Sequence, residues 1–199
     1  LSVDADLAST VTSYQASAVD VDDVDGDSDV TENWYAVVGN VSVSSDTADV
    51  VFSNKICNTN TPTTYVNDGQ LSGNVTLSAE TSVNLNTNAV YGATDITAKT
   101  NVTIGSTAAN AFLAGALDIS GFAGTVSFST DIAILGPVNA TGTGTFDGSN
   151  WDLDGSVVDG DITISADAGI DLSQANELGD GQNVAYVTTL ASDGPIDLS

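Results

Sequence analysis

The sequence predicts an all-β protein: an antiparallel β-sandwich or jelly-roll-like domain preceded by an N-terminal extension strand. Apolar residues recur at every second position in short runs, and Gly, Asn, Asp or Ser separates one run from the next. Val, Thr and Ser fill the runs, as suits a pleated and half-exposed surface. Hydrophobic residues make up 41% of the 199, enough for a packed core and too many for a disordered tail.

The elements follow in order. Leu1, Val3, Ala5, Leu7 and Val11 alternate with Ser2, Asp4, Asp6 and Thr10, which makes residues 1–19 an amphipathic extension strand. Residues 20–32 are polar and acidic and form a loop or linker; residues 33–199 form the β-domain, opening at Trp34 and Tyr35. Strands are expected at Ala36–Val38, Val41–Val43, Val50–Phe52, Val75–Leu77, Val83–Leu85 and Val102–Ile104, and then from Leu117 onward to Leu190. A single helix is expected at Thr107–Leu117. One phrase recurs, a turn residue feeding an alternating strand, at Asn40-Val41, Asn74-Val75, Asn101-Val102, Thr125-Val126 and Asp161-Ile162. Its steps of 34, 27, 24 and 36 residues are too unequal for a strict solenoid, so the sandwich ranks first. A β-helix is the alternative, because Gly160–Ser173 resembles the repeats of large secreted adhesins.

Charge narrows the function classes. Twenty-seven acidic residues face two basic ones, Lys55 and Lys99, with no histidine, for a formal net charge of −25. Nothing here neutralises a phosphate backbone, so nucleic acid is not an expected partner, while cations are. Glutamate occurs only at Glu32, Glu80 and Glu177; the remaining carboxylates are aspartates, which favour turns and oxygen-ligand metal loops. No apolar run reaches the length of a membrane span. The chain starts at Leu1 and contains no methionine, so the expectation is a secreted protein, at the cell surface or beyond it, after signal-peptide removal. Cys57 is the one cysteine, and an internal disulfide is excluded.

One segment has metal-ligand logic. Aligned on Gly26, Asp23, Asp25, Asp27, Asp29 and Glu32 fall at positions three, five, seven, nine and twelve of an EF-hand-type calcium loop. Val21 breaks position one, and the segment reads equally as a calcium site or as an acidic linker. Asp152, Asp154, Asp159 and Asp161 form a second, weaker cluster. Asn40, Asn74, Asn101 and Asn139 begin glycosylation sequons, which a chain this rich in Asn, Ser and Thr also produces by chance. Catalysis has little material: without histidine or arginine there is no Ser-His or Cys-His pair and no guanidinium clamp, so an enzyme is not expected.

In composition, a processed chain of Thr, Ser, Asn, Val, Ala, Gly and Asp in short strands, the protein resembles secreted prokaryotic surface-filament, pilus and surface-layer subunits. In pilus-like families an N-terminal extension fills a missing strand in the next subunit. The resemblance therefore implies a homopolymer joined by strand donation, with Leu1, Val3, Ala5, Leu7 and Val11 on the donated face. The alternative is a monomeric calcium-dependent adhesin or carbohydrate-binding module.

Overall fold

The computed structural model describes residues 2–5, 9–15, 35–37, 39–56, 70–71, 73–87, 89–106, 111–128, 132–149, 151–152, 160–173 and 188–198. These residues form twenty-two strands wound as successive rungs of a three-sided coil. The first rung holds β1 (Ser2–Ala5), β2 (Ser9–Gln15) and β3 (Tyr35–Val37). The second holds β4 (Val41–Ser45), β5 (Val50–Ile56) and β6 (Gln70–Leu71). Next come β7 (Val75–Ala79), β8 (Val83–Asn86) and β9 (Ala89–Val90), then β10 (Thr94–Ala98), β11 (Val102–Gly105) and β12 (Ala111–Leu113). The fifth and sixth rungs are β13 (Leu117–Ser120), β14 (Thr125–Phe128), β15 (Ile132–Ile134), and β16 (Val138–Gly142), β17 (Thr145–Asp147), β18 (Trp151–Asp152). The described residues end with β19 (Ile162–Ala166) and β20 (Gly169–Asp171), then β21 (Thr188–Ala191) and β22 (Ile196–Asp197).

Every third strand stacks on its predecessor. Sheet A runs β1-β4-β7-β10-β13-β16-β19-β21, sheet B runs β2-β5-β8-β11-β14-β17-β20-β22, and sheet C runs β3-β6-β9-β12-β15-β18. All the pairings are parallel, as in Val41↔Val75, Thr94↔Leu117 and Val102↔Val126. The chain is thus a parallel β-solenoid, and the expected antiparallel sandwich is wrong. Alternation was correctly read, since Val41, Val43, Val75, Leu77, Val83 and Leu85 are buried and Ser42, Thr76 and Asn84 are exposed. A period of two says that one face is buried, but carries nothing about the direction of the neighbouring strand.

The recurring phrase misled because it samples two sheets. Val41, Val75 and Ile162 start strands of sheet A, whereas Val102 and Val126 belong to sheet B. The steps of 27 and 36 residues therefore run from one side of the coil to another and measure no repeat. The steady mark lies at the corner leading into sheet A, where Gly39, Gly73, Gly92, Gly115, Gly136 and Gly160 each stand two residues before an inward position, at steps of 34, 19, 23, 21 and 24. A Cβ built on Gly73, Gly92, Gly115 or Gly136 would run into the backbone of the glycine one rung earlier. Only hydrogen in place of a side chain lets the corners approach this closely. The expected helix at Thr107–Leu117 is also corrected: Ala111–Leu113 is β12 and Leu117 opens β13.

The core is a set of columns along the axis. In sheet A, Val43, Leu77, Ile96, Ile119, Ala140 and Ile164 stack in register; in sheet B, Phe52, Leu85 and Ile104 pair with one another and Ile104 with Phe128. All of these are buried, and the rings of Phe128 and Phe146 meet edge-on at 5.8 Å. Thr94 sits in an inward column of sheet A at 1% exposure. Each rung buries only part of its apolar face alone and completes the core by stacking on its neighbours.

Candidate assembly surfaces

The corners are held by side chains that reach from rung to rung. The Asn74 amide donates to Asn40 Oδ1 at 3.0 Å, the Ala93 amide to Asn74 Oδ1 at 3.0 Å, and the Thr125 amide to Asn101 Oδ1 at 2.9 Å. Three of the four sequon asparagines therefore have a structural reason to stand at these turns: each satisfies an amide that no strand ladder reaches. Asn139 is different. It points outward in β16 and donates through Nδ2 to Asp118 Oδ1 at 3.3 Å.

The aspartates at turns behave likewise. Asp49 Oδ1 accepts from the Thr81 hydroxyl and from the Ser82 amide, the latter at 2.9 Å. These two bonds, the hydroxyl first, hold the Asp49 carboxyl below its ordinary pKa because they favour its charged form. Asp147 Oδ1 accepts the Ser149 amide at 3.0 Å, and Asp171 Oδ1 accepts both the amide and the hydroxyl of Ser173. Lys99 pairs with Glu80 on the adjoining rung, the one ion pair among the described residues.

The outer face of sheet A is a lattice of short polar side chains. One column runs Ser42, Thr76, Asp95, Asp118, Asn139, Thr163, Thr189, and the parallel one runs Ser44, Ser78, Thr97, Ser120, Thr141, Ser165, Ala191. Thr97 and Ser120 share a hydroxyl–hydroxyl bond of 3.1 Å along the second column.

At the C-terminal end of the described rungs the columns run out. Ile170 and Leu172 are each 2% exposed, but Ile196, stacked on Ile170, is 42% exposed and Leu198 is 58% exposed. Among the described residues, β21 and β22 are the last strands of sheets A and B. At the other end, β1 pairs with β4 (Val3↔Val43) and β2 with β5 (Val11↔Phe52). The strand expected to be donated thus occupies the first place in sheets A and B of its own chain. Leu1 and Leu7 lie outside the described residues, as do Asp23, Asp25, Asp27, Asp29, Glu32 and Cys57, and Asp154 and Asp159 of the second acidic cluster. Among the described residues no three His, Cys, Asp or Glu side chains converge to hold a metal ion. No helix of the described residues is long and apolar enough to cross a membrane.

The corner bonds that run from rung to rung were missed by the sequence reading. The signal for them was the glycine series that marks the corners leading into sheet A. No family model, curated protein or solved structure matches this chain.

Proposed function

We propose that this chain is a structural subunit of an extracellular self-assembling filament or surface layer. One observation carries the reading: the described rungs stack in three parallel sheets on a continuous apolar core, and the outer face of sheet A is a repetitive lattice of short side chains, a scaffold built by repetition along one axis. The charge of −25 gives such a polymer an electrostatic control, because like-charged bodies approach only when salt or bound cations screen them. Calcium at residues 20–32 and glycans at exposed asparagines belong to the same proposal. The test is electron microscopy and sedimentation of the 199-residue chain across ionic strength, with and without calcium. Polymers that lengthen with salt support the reading; a monomer under every condition overturns it.

A carbohydrate-binding role has one observation in its favour. Tyr91 is 37% exposed and packs edge-on against Phe112 at 5.3 Å, giving sheet C an aromatic step. Retention on polysaccharide columns that Tyr91→Ala abolishes would favour it.

A further inference from the structure

We infer that Asn74 and Asn101, and not Asn139, are positions at which the folded chain carries N-linked glycans, so that sugar stands at two corners of the coil and the outer face of sheet A stays bare. The inference rests on the structural reading above, to which it adds the choice of asparagine.

Atom identity comes first. The Ala93 amide donates to the Asn74 side chain at 3.0 Å and the Thr125 amide to that of Asn101 at 2.9 Å. A backbone N–H can only donate, so in both side chains it is the oxygen that faces the corner. Packing holds it there, since a Cβ on Gly92 would run into Asn74 Oδ1 and one on Gly124 into Asn101 Oδ1. In a planar carboxamide this turns Nδ2 away from the corner. Both residues are exposed, and neither Nδ2 has a hydrogen-bond partner among the described residues.

The chemistry of glycan transfer fits that orientation. A transferase moves an oligosaccharide from a phosphate-linked donor: Nδ2 bonds the anomeric carbon, the anomeric C–O bond to phosphate breaks, and one Nδ2 proton leaves to a base of the transferase. Oδ1 takes no part. It still accepts the rung-to-rung bond once the sugar is attached, so corner and glycan coexist. Alternation also puts the sequon hydroxyl, Thr76 or Thr103, on the same outer side as its asparagine, with Val75 or Val102 buried between them. Asn139 differs in both respects. Its Nδ2 is the atom in use, donating to Asp118 Oδ1 at 3.3 Å. It stands within β16 with Asp118 and Thr163 in register on the strands to either side, each about 4.8 Å away. A sugar at Asn139 must disturb that bond or lie over those neighbours.

The test is a set of single-sequon chains, made in a secretory host that N-glycosylates and, for comparison, in a bacterium that does not. Ser42→Ala removes the Asn40 sequon throughout. Pairs drawn from Thr76→Ala, Thr103→Ala and Thr141→Ala then leave one of the other three sequons and spare every asparagine side chain. Intact mass reads occupancy, and thermal unfolding reads its effect on the fold. Chains keeping Asn74 or Asn101 should be glycosylated several-fold more completely than the chain keeping Asn139, and should melt where their bacterial counterparts do. Any Asn139 chain that does carry sugar should melt lower than its counterpart. Full occupancy of Asn139 with unchanged melting, a melting loss caused by sugar at Asn74 or Asn101, or no occupancy at these two overturns the inference. None of these readouts depends on polymers, so a chain that never polymerises overturns the structural reading and leaves the glycan assignment standing.

Discussion

The backbone amide of Asn74 donates to the side-chain oxygen of Asn40 at 3.0 Å across 34 residues of chain. Asn74 in turn accepts from Ala93 over only 19 residues. Rungs of unequal length thus share one corner geometry, and the surplus chain is absorbed between corners.

Replacing Asn74 by alanine should therefore cost about 1 kcal/mol, the usual net worth of such a bond. Asn74→Asp keeps an oxygen acceptor for the Ala93 amide and should stay closer to wild type, though it destroys the sequon. Urea unfolding of both variants in unglycosylated protein compares them; equal losses would show that the oxygen acceptor is not what matters at this corner.

Thr94 is 1% exposed and its hydroxyl has no hydrogen-bond partner. Thr94→Val exchanges that hydroxyl for a methyl group of nearly the same shape and removes a desolvated polar atom, so stability should rise by about 1 kcal/mol. A measured loss would mean that the hydroxyl is satisfied in solution.

Gly115 and Gly39 separate two roles for corner glycines. A Cβ on Gly115 would overlap the Gly92 carbonyl, and Gly115→Ala should cost about 2 kcal/mol or more through overpacking. Gly39 has open space around it but a φ of 101°, so Gly39→Ala should cost about 1–2 kcal/mol through backbone strain alone. Thermal unfolding with both variants reads the difference, and a neutral Gly115→Ala would show that the rungs are not in close contact at this corner.

Asp49 gives the fold an acid-sensitive corner. Its carboxyl titrates below the unfolded value because the Thr81 hydroxyl and Ser82 amide bond its charged form. A depressed folded pKa contributes stability that is fully present above the unfolded pKa and is lost as pH falls through the folded one. Asp49→Asn has a neutral acceptor that does not titrate. Wild type should hold its advantage over the variant above about pH 4 and lose it on further acidification. Melting midpoints from neutral pH downward check this; a gap that is constant with pH would remove Asp49 from the account.

How much of this was legible follows from what alternation encodes. The inward column of Val43, Leu77, Ile96 and Ile164 was readable from spacing alone, because a period of two sorts side chains into two faces whichever way the neighbouring strand runs. Strand direction was not, because it depends on contacts such as Asn40 to Asn74 that join distant residues. The phrase at Asn101 and Thr125 looked like the one at Asn40 and Asn74 because both corners solve the same problem, an amide left outside the ladder, and so two sides of the coil were counted as one. Of the expected assembly strand, Val3 and Ala5 fall in β1 and Val11 in β2, and sequence could not say that they would stand in register with Val43, Ser45 and Phe52 of the same chain.

The ion pair of Lys99 with Glu80 sits beside a peptide bond that is held from both sides: the Thr100 amide donates to the Thr81 carbonyl at 2.9 Å, and the Lys99 carbonyl accepts from Ala123 at 3.1 Å. Lys55 lies within β5, paired with Tyr14. These are the only two basic residues, hence the only two places where a trypsin-like protease can cut. Such an enzyme must draw the chain out of its ladder before it can close on it, so digestion has to wait for a rung to open. The folded chain is hard to erode for any protease that needs lysine or arginine, and the rate at which trypsin releases fragments becomes a direct clock for the opening of the rungs around Lys55 and Lys99.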